Sequence, residues 1–311
     1  MLDQDFYEDA RGDWAPSGVS FPASYQGHEL TKANLILEGG AMRSMFTAGV
    51  VDVFMDHGLF FDTTIGVSAG ALVGYNYIAG QRGRCAYLNL KYCGDWRGLS
   101  LKSFVKTGNA YGREFNFDLI PNEFDPYPYD AYRASQMRLI AVSSNLETGE
   151  ADYHEVIDPK EEIPYLIATS SMPLVSQVVE VDGKLLVDGG TCDSIPIAYS
   201  LMTGASKHVV VCTHPADYVR KPEKLMPLIR KKYDDYPYFV ERSQNRHFEY
   251  NRAKRALVRM HEAKDAFLIA PEKPVEVSNM EHDQRKLLDL YEQGVAVATK
   301  QLDALKTYLG I

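Results

Sequence analysis

Two glycine-marked turns lie between Ala33 and Gly80, and each joins an apolar run of strand length to an apolar run of helix length. The first run, Ala33-Asn34-Leu35-Ile36-Leu37-Glu38, stops at Gly39-Gly40. The segment MRSMFTAGVVDVFMDHG follows, apolar on nearly every side and long enough for about four helical turns. Gly58 stands where a helix C-cap belongs. The second run, Thr63-Thr64-Ile65-Gly66-Val67, passes at once into SAGALVGYNYIAG, again apolar. Strand, turn, helix, strand, turn, helix is a βαβα unit, and it predicts an α/β fold with a parallel sheet covered by helices.

The remaining segments extend that pattern. Residues 83–135 are less regular and rich in aromatics, among them Phe104, Tyr111, Phe115, Tyr127 and Tyr132. The aromatic segment 104–132 reads either as a long loop packed by its own side chains or as a lipid entrance or lid. Met137–Val142 reads as a strand, Asn145–Gly149 as a turn and Ala151–Val156 as the returning partner. A short helix is expected over 161–170. A hairpin turning on Asp182-Gly183 is expected within Val175–Val187. A helix near 195–203 and a strand at His208–Cys212 follow. Beyond His214-Pro215 the chain turns to long charged helical segments, near 239–262 and 281–308, with one strand between them at Ala266–Ala270. The expected organisation is an N-terminal extension over 1–30 that wraps the domain and an α/β domain over 31–215. A mainly helical region over 216–311 follows, whose strand can join the main sheet. The apolar stripe of the last helix, from Leu287 to Leu305, reads as core or as an oligomer contact. It fits a membrane surface less well, because the chain is acidic and the polar face is mixed.

Composition narrows the partners. Lys and Arg number 33 against 42 Asp and Glu, a formal charge of −9, so no basic excess is available to displace phosphate counterions and no nucleic-acid partner is expected. No run of about 18 apolar residues exists to span a membrane. The N-terminal MLDQDFYEDARGDW is acidic and lacks the apolar core of a secretory signal. Cys85, Cys93, Cys192 and Cys212 have no C-x-x-C spacing, which suggests neither a zinc site nor a disulfide framework and fits a reducing, cytoplasmic setting. No metal cluster is visible and no cofactor is implied.

Three local patterns carry chemistry. Gly66-Val67-Ser68-Ala69-Gly70 is a G-x-S-x-G, whose strained strand-to-helix turn lifts a serine hydroxyl clear of a sheet. A small-residue turn packing a helix on a sheet would leave the same letters, but a strand does precede Ser68 and an apolar helix does follow. The turn Glu38-Gly39-Gly40-Ala41-Met42-Arg43-Ser44 offers free backbone N–H groups at a helix start. It matches neither G-x-G-x-x-G, because Ala41 and Ser44 occupy two of the glycine positions, nor a Walker A loop, because no Gly-Lys-Ser/Thr follows. An oxyanion-hole loop remains. Val187-Asp188-Gly189-Gly190 puts a carboxylate at a strand end, where it can point into a shared site; Asp182-Gly183 is explained in full as a hairpin turn.

In this order the three patterns resemble the patatin-like phospholipase family, over about Asn34 to His214. The family's G-G-G-x-R/K-G loop stands here as Gly39-Gly40-Ala41-Met42-Arg43-Ser44. Its elbow stands as Gly66 to Gly70 and its acid motif as Asp188-Gly189-Gly190. Ala168-Thr169-Ser170-Ser171-Met172-Pro173 is similar to the family's small-residue stretch upstream of the aspartate. The resemblance implies a three-layer α/β/α sandwich around a mostly parallel sheet. It also implies a Ser68–Asp188 dyad without histidine, oxyanion N–H groups from Gly40, Ala41 and Met42, and Arg43 at the basic position. The implied substrate is a lipid or other acyl ester, met through transient contact with a membrane surface. Two departures stand out: Ala41 replaces a glycine, which matters if its φ is positive, and Ser44 replaces another.

Two other readings compete. A Ser-His-Asp hydrolase needs a histidine after the acid, with His208, His214, His247, His261 and His282 as candidates. The altered glycine loop also fits a catalytically weak binding or regulatory protein on the same fold.

Overall fold

The computed structural model describes residues 29–311, and all structural statements below concern those residues. The proposed wrapping by residues 1–30 lies outside them, apart from Glu29 and Leu30. Leu30 already opens the first strand.

Eight strands form one sheet: β1 (Leu30–Leu37), β2 (Phe60–Val67), β3 (Arg138–Asn145), β4 (Ala151–Val156), β5 (Val179–Val181), β6 (Lys184–Asp188), β7 (His208–Val211) and β8 (Phe267–Ile269). The central path β3-β2-β1-β7-β8 is parallel throughout. β4 and β6 pair antiparallel with β3, and β5 pairs antiparallel with β6. The helices of the first βαβα unit are α1 (Ser44–Asp56), entered through a 3-10 turn at Ala41–Arg43, and α2 (Ala69–Ile78). Gly58 has φ +68 just beyond α1, as its place in the sequence predicts.

Residues 83–135 are more regular than their sequence suggests. They fold as α3 (Arg84–Tyr92), α4 (Leu101–Thr107), a π-helix (Phe115–Phe124) and α5 (Tyr129–Ala134). These helices are too short to show a clear 3.6-residue period, and glycines separate the first three. Their aromatics are packed inward. Phe115 is fully buried, Tyr127 stacks on Tyr75 at 3.9 Å, and the Arg97 guanidinium covers the Phe115 ring at 4.3 Å. α6 (Ile163–Thr169) precedes the β5–β6 hairpin, whose turn residues Asp182 and Gly183 both have positive φ. α7 (Ile197–Met202), α8 (Met226–Lys232), α9 (Pro237–Glu262) and α10 (Gln284–Leu309) complete the chain.

Alternation along the strands divides the core into two layers. Leu35 and Leu37 of β1 pack with Phe46, Val50 and Phe54 of α1 and with Leu287, Leu290 and Leu305 of α10. Ile36, Ile65, Val67, Ile140 and Val210 face the opposite way, onto Ile197 of α7 and Tyr250 and Leu257 of α9. The result is a three-layer α/β/α sandwich with a mostly parallel sheet and a helical C-terminal region. β8 extends the sheet beside β7, so the C-terminal region also contributes a strand. No helix among the described residues is long and apolar enough to cross a membrane.

Candidate active site

The register of β3 brings the elbow and the acidic strand end together. Along one edge β3 pairs with β2 as far as Val67↔Val142. One residue further, Ser143 pairs with Asp188 of β6. β4 occupies the other edge, since Ser143 also pairs with Asp152. β2 and β6 therefore meet end to end against the same edge of β3, one arriving and one descending. Residues just past Val67 must face Asp188, although 120 positions separate Ser68 from it.

At that junction the chain turns sharply. Ser68 has φ 55 and ψ −130 at the start of α2, an uncommon conformation for a side-chain-bearing residue and the one a nucleophile elbow requires. The flanking glycines admit the close packing this needs. A Cβ on Gly66 would stand 2.4 Å from Ala71 Cα, and one on Gly70 would stand 2.4 Å from the Leu37 carbonyl oxygen. Ser68 Oγ donates to Asp188 Oδ2 at 2.6 Å. The other carboxylate oxygen, Oδ1, accepts from the Gly190 N–H at 2.8 Å. Both residues are buried, at 9% and 7% exposure. Burial pushes the Asp188 carboxyl above its ordinary range, against the lowering effect of the Ser68 and Gly190 hydrogen bonds and of the Arg246 and Arg220 charges. Gly189 packs so tightly that a Cβ would lie 2.1 Å from the Val142 carbonyl oxygen.

The small-residue stretch before β5 braces both halves. Thr169 Oγ1 accepts from the Ser68 N–H at 2.8 Å and donates to the Val142 carbonyl, and the Asp188 N–H donates to the Ser171 carbonyl at 2.9 Å. The Gly-rich turn lies against the elbow, with Gly39 so near that a Cβ there would stand 2.9 Å from Ser68 Cβ. Ala41, Met42 and Ser68 line one cavity; Gly39, Gly40, Ala41, Arg43 and Ser68 share another with Asp188 and Gly190. Ala41 has φ +47, the conformation in which the missing glycine is felt.

Several residues in the site have no motif to announce them. Glu38, 1% exposed, accepts from the Thr213 N–H at 2.8 Å and from the Tyr250 hydroxyl at 2.7 Å, and Thr213 Oγ1 donates to the Gly39 carbonyl. The Gly-rich turn is thus tied to the end of β7 and to α9. Arg220 and Arg246 line the cavity that holds Ser68 and Asp188. The available signal was the stripe Arg246, Tyr250, Lys254 and Leu257, which puts two cations at helical spacing on an otherwise inward face of α9.

The histidines are engaged elsewhere, and among the described residues none hydrogen-bonds Ser68 or Asp188. His208 Nδ1 pairs with Ser200 Oγ, and His214 stacks on Tyr218 at 3.8 Å. His247 lies against Phe248, His261 accepts from the Leu268 N–H, and His282 contacts the Cys93 carbonyl. Burial and the nearby Arg43 charge lower His214 to about 4. No group of three or more His, Cys, Asp or Glu among the described residues could hold a metal ion. Cys192, beside the acid motif, is buried and uncharged, its thiol pushed up to about 11 by desolvation.

The profile for patatin-like phospholipases matches residues 35–201, and a profile for a domain of unknown function (DUF6363) matches residues 236–310. The uncharacterized protein YjjU of Escherichia coli (strain K12) is 25% identical over 208 residues, covering 65% of this chain and 57% of YjjU. Lysophospholipase NTE1 of Meyerozyma guilliermondii is 25% identical over 183 residues, covering 57% of this chain and 12% of that much longer protein. Among solved structures, VipD from Legionella pneumophila aligns with a TM-score of 0.48 and 11% identity, over 89% of this chain and 68% of that one. The patatin profile covers more than half of the chain and takes in the Gly-rich turn, the serine elbow and the Asp188 strand end, so the chain belongs to the patatin-like phospholipase family.

Proposed function

We propose that the protein is a serine acyl hydrolase that cleaves carboxylic esters of lipids, lysophospholipids among them, with Ser68 as nucleophile and Asp188 as its base. The observation that carries this reading is the 2.6 Å hydrogen bond from Ser68 Oγ to a buried Asp188 carboxylate. As Oγ attacks the ester carbonyl, its proton passes to Asp188 Oδ2. Collapse of the tetrahedral intermediate breaks the bond to the alcohol, which takes the proton back from Asp188 and leaves an acyl-serine. Water, deprotonated by the same carboxylate, then attacks the acyl carbon; collapse of this second intermediate breaks the bond to Oγ, which takes the proton back from Asp188 as the acid leaves. An unperturbed aspartate is a weak base for this step, and desolvation raises its basicity toward the working range. Backbone N–H groups of Gly40, Ala41 and Met42, with the N-terminus of α2, are assigned to the developing oxyanion.

The test is labelling with a fluorophosphonate probe and peptide mapping. The native protein is expected to label at Ser68, Ser68→Ala not at all, and Asp188→Asn at least about 100-fold more slowly. His214→Ala is expected to label like the native protein. Loss of labelling in a folded single-histidine variant would overturn the dyad in favour of a triad, and a folded native protein that never labels would overturn the hydrolase reading.

A further inference from the structure

Ser68 stands between two cavities of opposite character. The inner one, about 130 Å³, is walled largely by apolar side chains such as Met45, Leu72, Val73 and Leu88, and it suits an acyl chain. The outer one, about 320 Å³, gathers three guanidinium groups. Arg43 comes from the Gly-rich turn, Arg220 from the segment after β7, and Arg246 from α9. The Nε atoms of all three are buried without a hydrogen-bond partner. Arg43 is anchored by Nη1 on Asn279 Oδ1 at 2.5 Å, and Arg220 lies over the Tyr250 ring at 4.7 Å. Among the described residues Arg246 has neither a hydrogen bond nor an ion pair. Its Nη2 would stand 3.0 Å from a Cβ placed on Gly190, which puts the guanidinium directly beside the acid motif.

Among the described residues the carboxylates here form no ion pair with the three guanidinium groups. Two line the cavity, Asp188 and Glu223, and Glu38 acts on Arg43 from behind the Gly-rich turn. Asp188 is taken up by Ser68 and Gly190, while Glu223 Oε1 caps the Leu225 N–H at 3.0 Å. Burial and the neighbouring Arg220 pull Arg246 down to about 10, the cost of holding like charges together in a partly dry pocket. Guanidinium forks match phosphate oxygens in pairs. Among the described residues no aromatic ring lines the cavity, so they offer no cage for a quaternary ammonium.

We propose that Arg220 and Arg246, with Arg43, bind a phosphate group on the alcohol side of the scissile ester, so that the preferred substrates are acyl esters of glycerol phosphate whose phosphate carries no amine head group. The proposal rests on the acyl-hydrolase reading of Ser68. It gives the C-terminal region a task in the site: Arg220 and Arg246 lie outside residues 35–201, and Arg246 falls in the segment matched by the profile of unknown function.

The test is calorimetric titration of the full-length Ser68→Ala protein with sn-glycerol 3-phosphate, glycerophosphocholine and inorganic phosphate. Glycerol 3-phosphate is expected to bind at least about tenfold more tightly than either of the others, and more weakly as salt rises. Adding Arg246→Gln or Arg220→Gln should weaken it about tenfold or more, with Arg246→Lys retaining part of the affinity. Equal affinity for glycerol 3-phosphate and glycerophosphocholine overturns the proposal. So does inorganic phosphate binding as well as glycerol 3-phosphate, or affinity that either folded Gln variant leaves unchanged. In the Ser68-containing enzyme, the ratio of kcat/KM for a 1-acylglycerol 3-phosphate to that for the monoacylglycerol of the same chain should collapse toward one in Arg246→Gln. A ratio that does not move overturns the assignment. The titration needs no hydrolysis, so the two readings fail separately. Binding without fluorophosphonate labelling of the native protein sinks the hydrolase alone, and labelling without binding sinks the subsite alone.

Discussion

Ala41 sits at φ +47 in a loop whose family pattern has glycine there. A left-handed conformation costs an L-residue about 1–2 kcal/mol, while glycine gives back about 0.4–1 kcal/mol through its freer unfolded chain. Ala41→Gly is therefore expected to stabilise the protein by up to about 1 kcal/mol and to raise Tm by about 2 °C in scanning calorimetry, with fluorophosphonate labelling at least as fast. A lower Tm would show that Ala41 is unstrained. Asp52 stores a larger strain of another kind. Its carboxylate accepts from the Gly83 N–H and the Tyr291 hydroxyl inside the α1–α10 contact, and burial raises its pKa to about 6. The unfolded chain releases that proton near pH 4, so stability falls as pH rises from about 4 to 6, by as much as about 3 kcal/mol. In Asp52→Asn the amide oxygen can still accept from Gly83 and the amide nitrogen can donate to Tyr291. Thermal melts are expected to show the variant more stable than the native protein at pH 8 and level with it near pH 4. A constant offset across that range would remove titration of Asp52 as the cause.

Between elements, a close joint is the crossing of α1 and α10, where one glycine on each helix faces the other helix's backbone. A Cβ on Gly294 would stand 2.1 Å from the Phe46 carbonyl oxygen, and one on Gly49 would stand 2.2 Å from that of Tyr291. In an exposed helix Gly→Ala adds about 1 kcal/mol of stability through propensity. Here the sign reverses, because the new methyl meets backbone that cannot give way: Gly294→Ala is expected to cost about 3 kcal/mol in urea unfolding. A stabilised variant would refute this packing. Such joints are where the sequence was least readable. The strands of the βαβα unit and the helices at 237–262 and 284–309 were legible from periodicity and turn residues, within a few positions. The pairing of Gly49 with Gly294 was not, because neither position carries a local signal of what crosses it. α8, entered through Pro227, and the short helices within residues 83–135 went unread for want of length.

At the scale of the whole chain, the three motifs were legible one by one, but the reason they meet was not. That reason is the register of β3, which seats the ends of β2 and β6 one residue apart on a shared edge. The same limit hid the C-terminal share of the site, since Arg220, Arg246 and Tyr250 are ordinary residues until α9 folds against the sheet. These contacts bear on how separable residues 31–215 are. A chain ending at Pro215 would lose β8 and bare the edge of β7, strip Tyr250 from Glu38, and uncover the α1 face that α10 buries. Leu287, Leu290, Val297, Leu302 and Leu305 alone represent about 10 kcal/mol of burial, comparable to the entire stability of an ordinary domain. Residues 29–215 expressed alone are therefore expected to show no cooperative thermal transition, to bind a hydrophobic dye and to leave Ser68 unlabelled by fluorophosphonate. A monomeric fragment that melts cooperatively would show that the patatin-like region folds by itself. If that fragment also labelled at Ser68, the C-terminal helices would be a specificity module laid over a finished catalytic site, rather than part of what builds it.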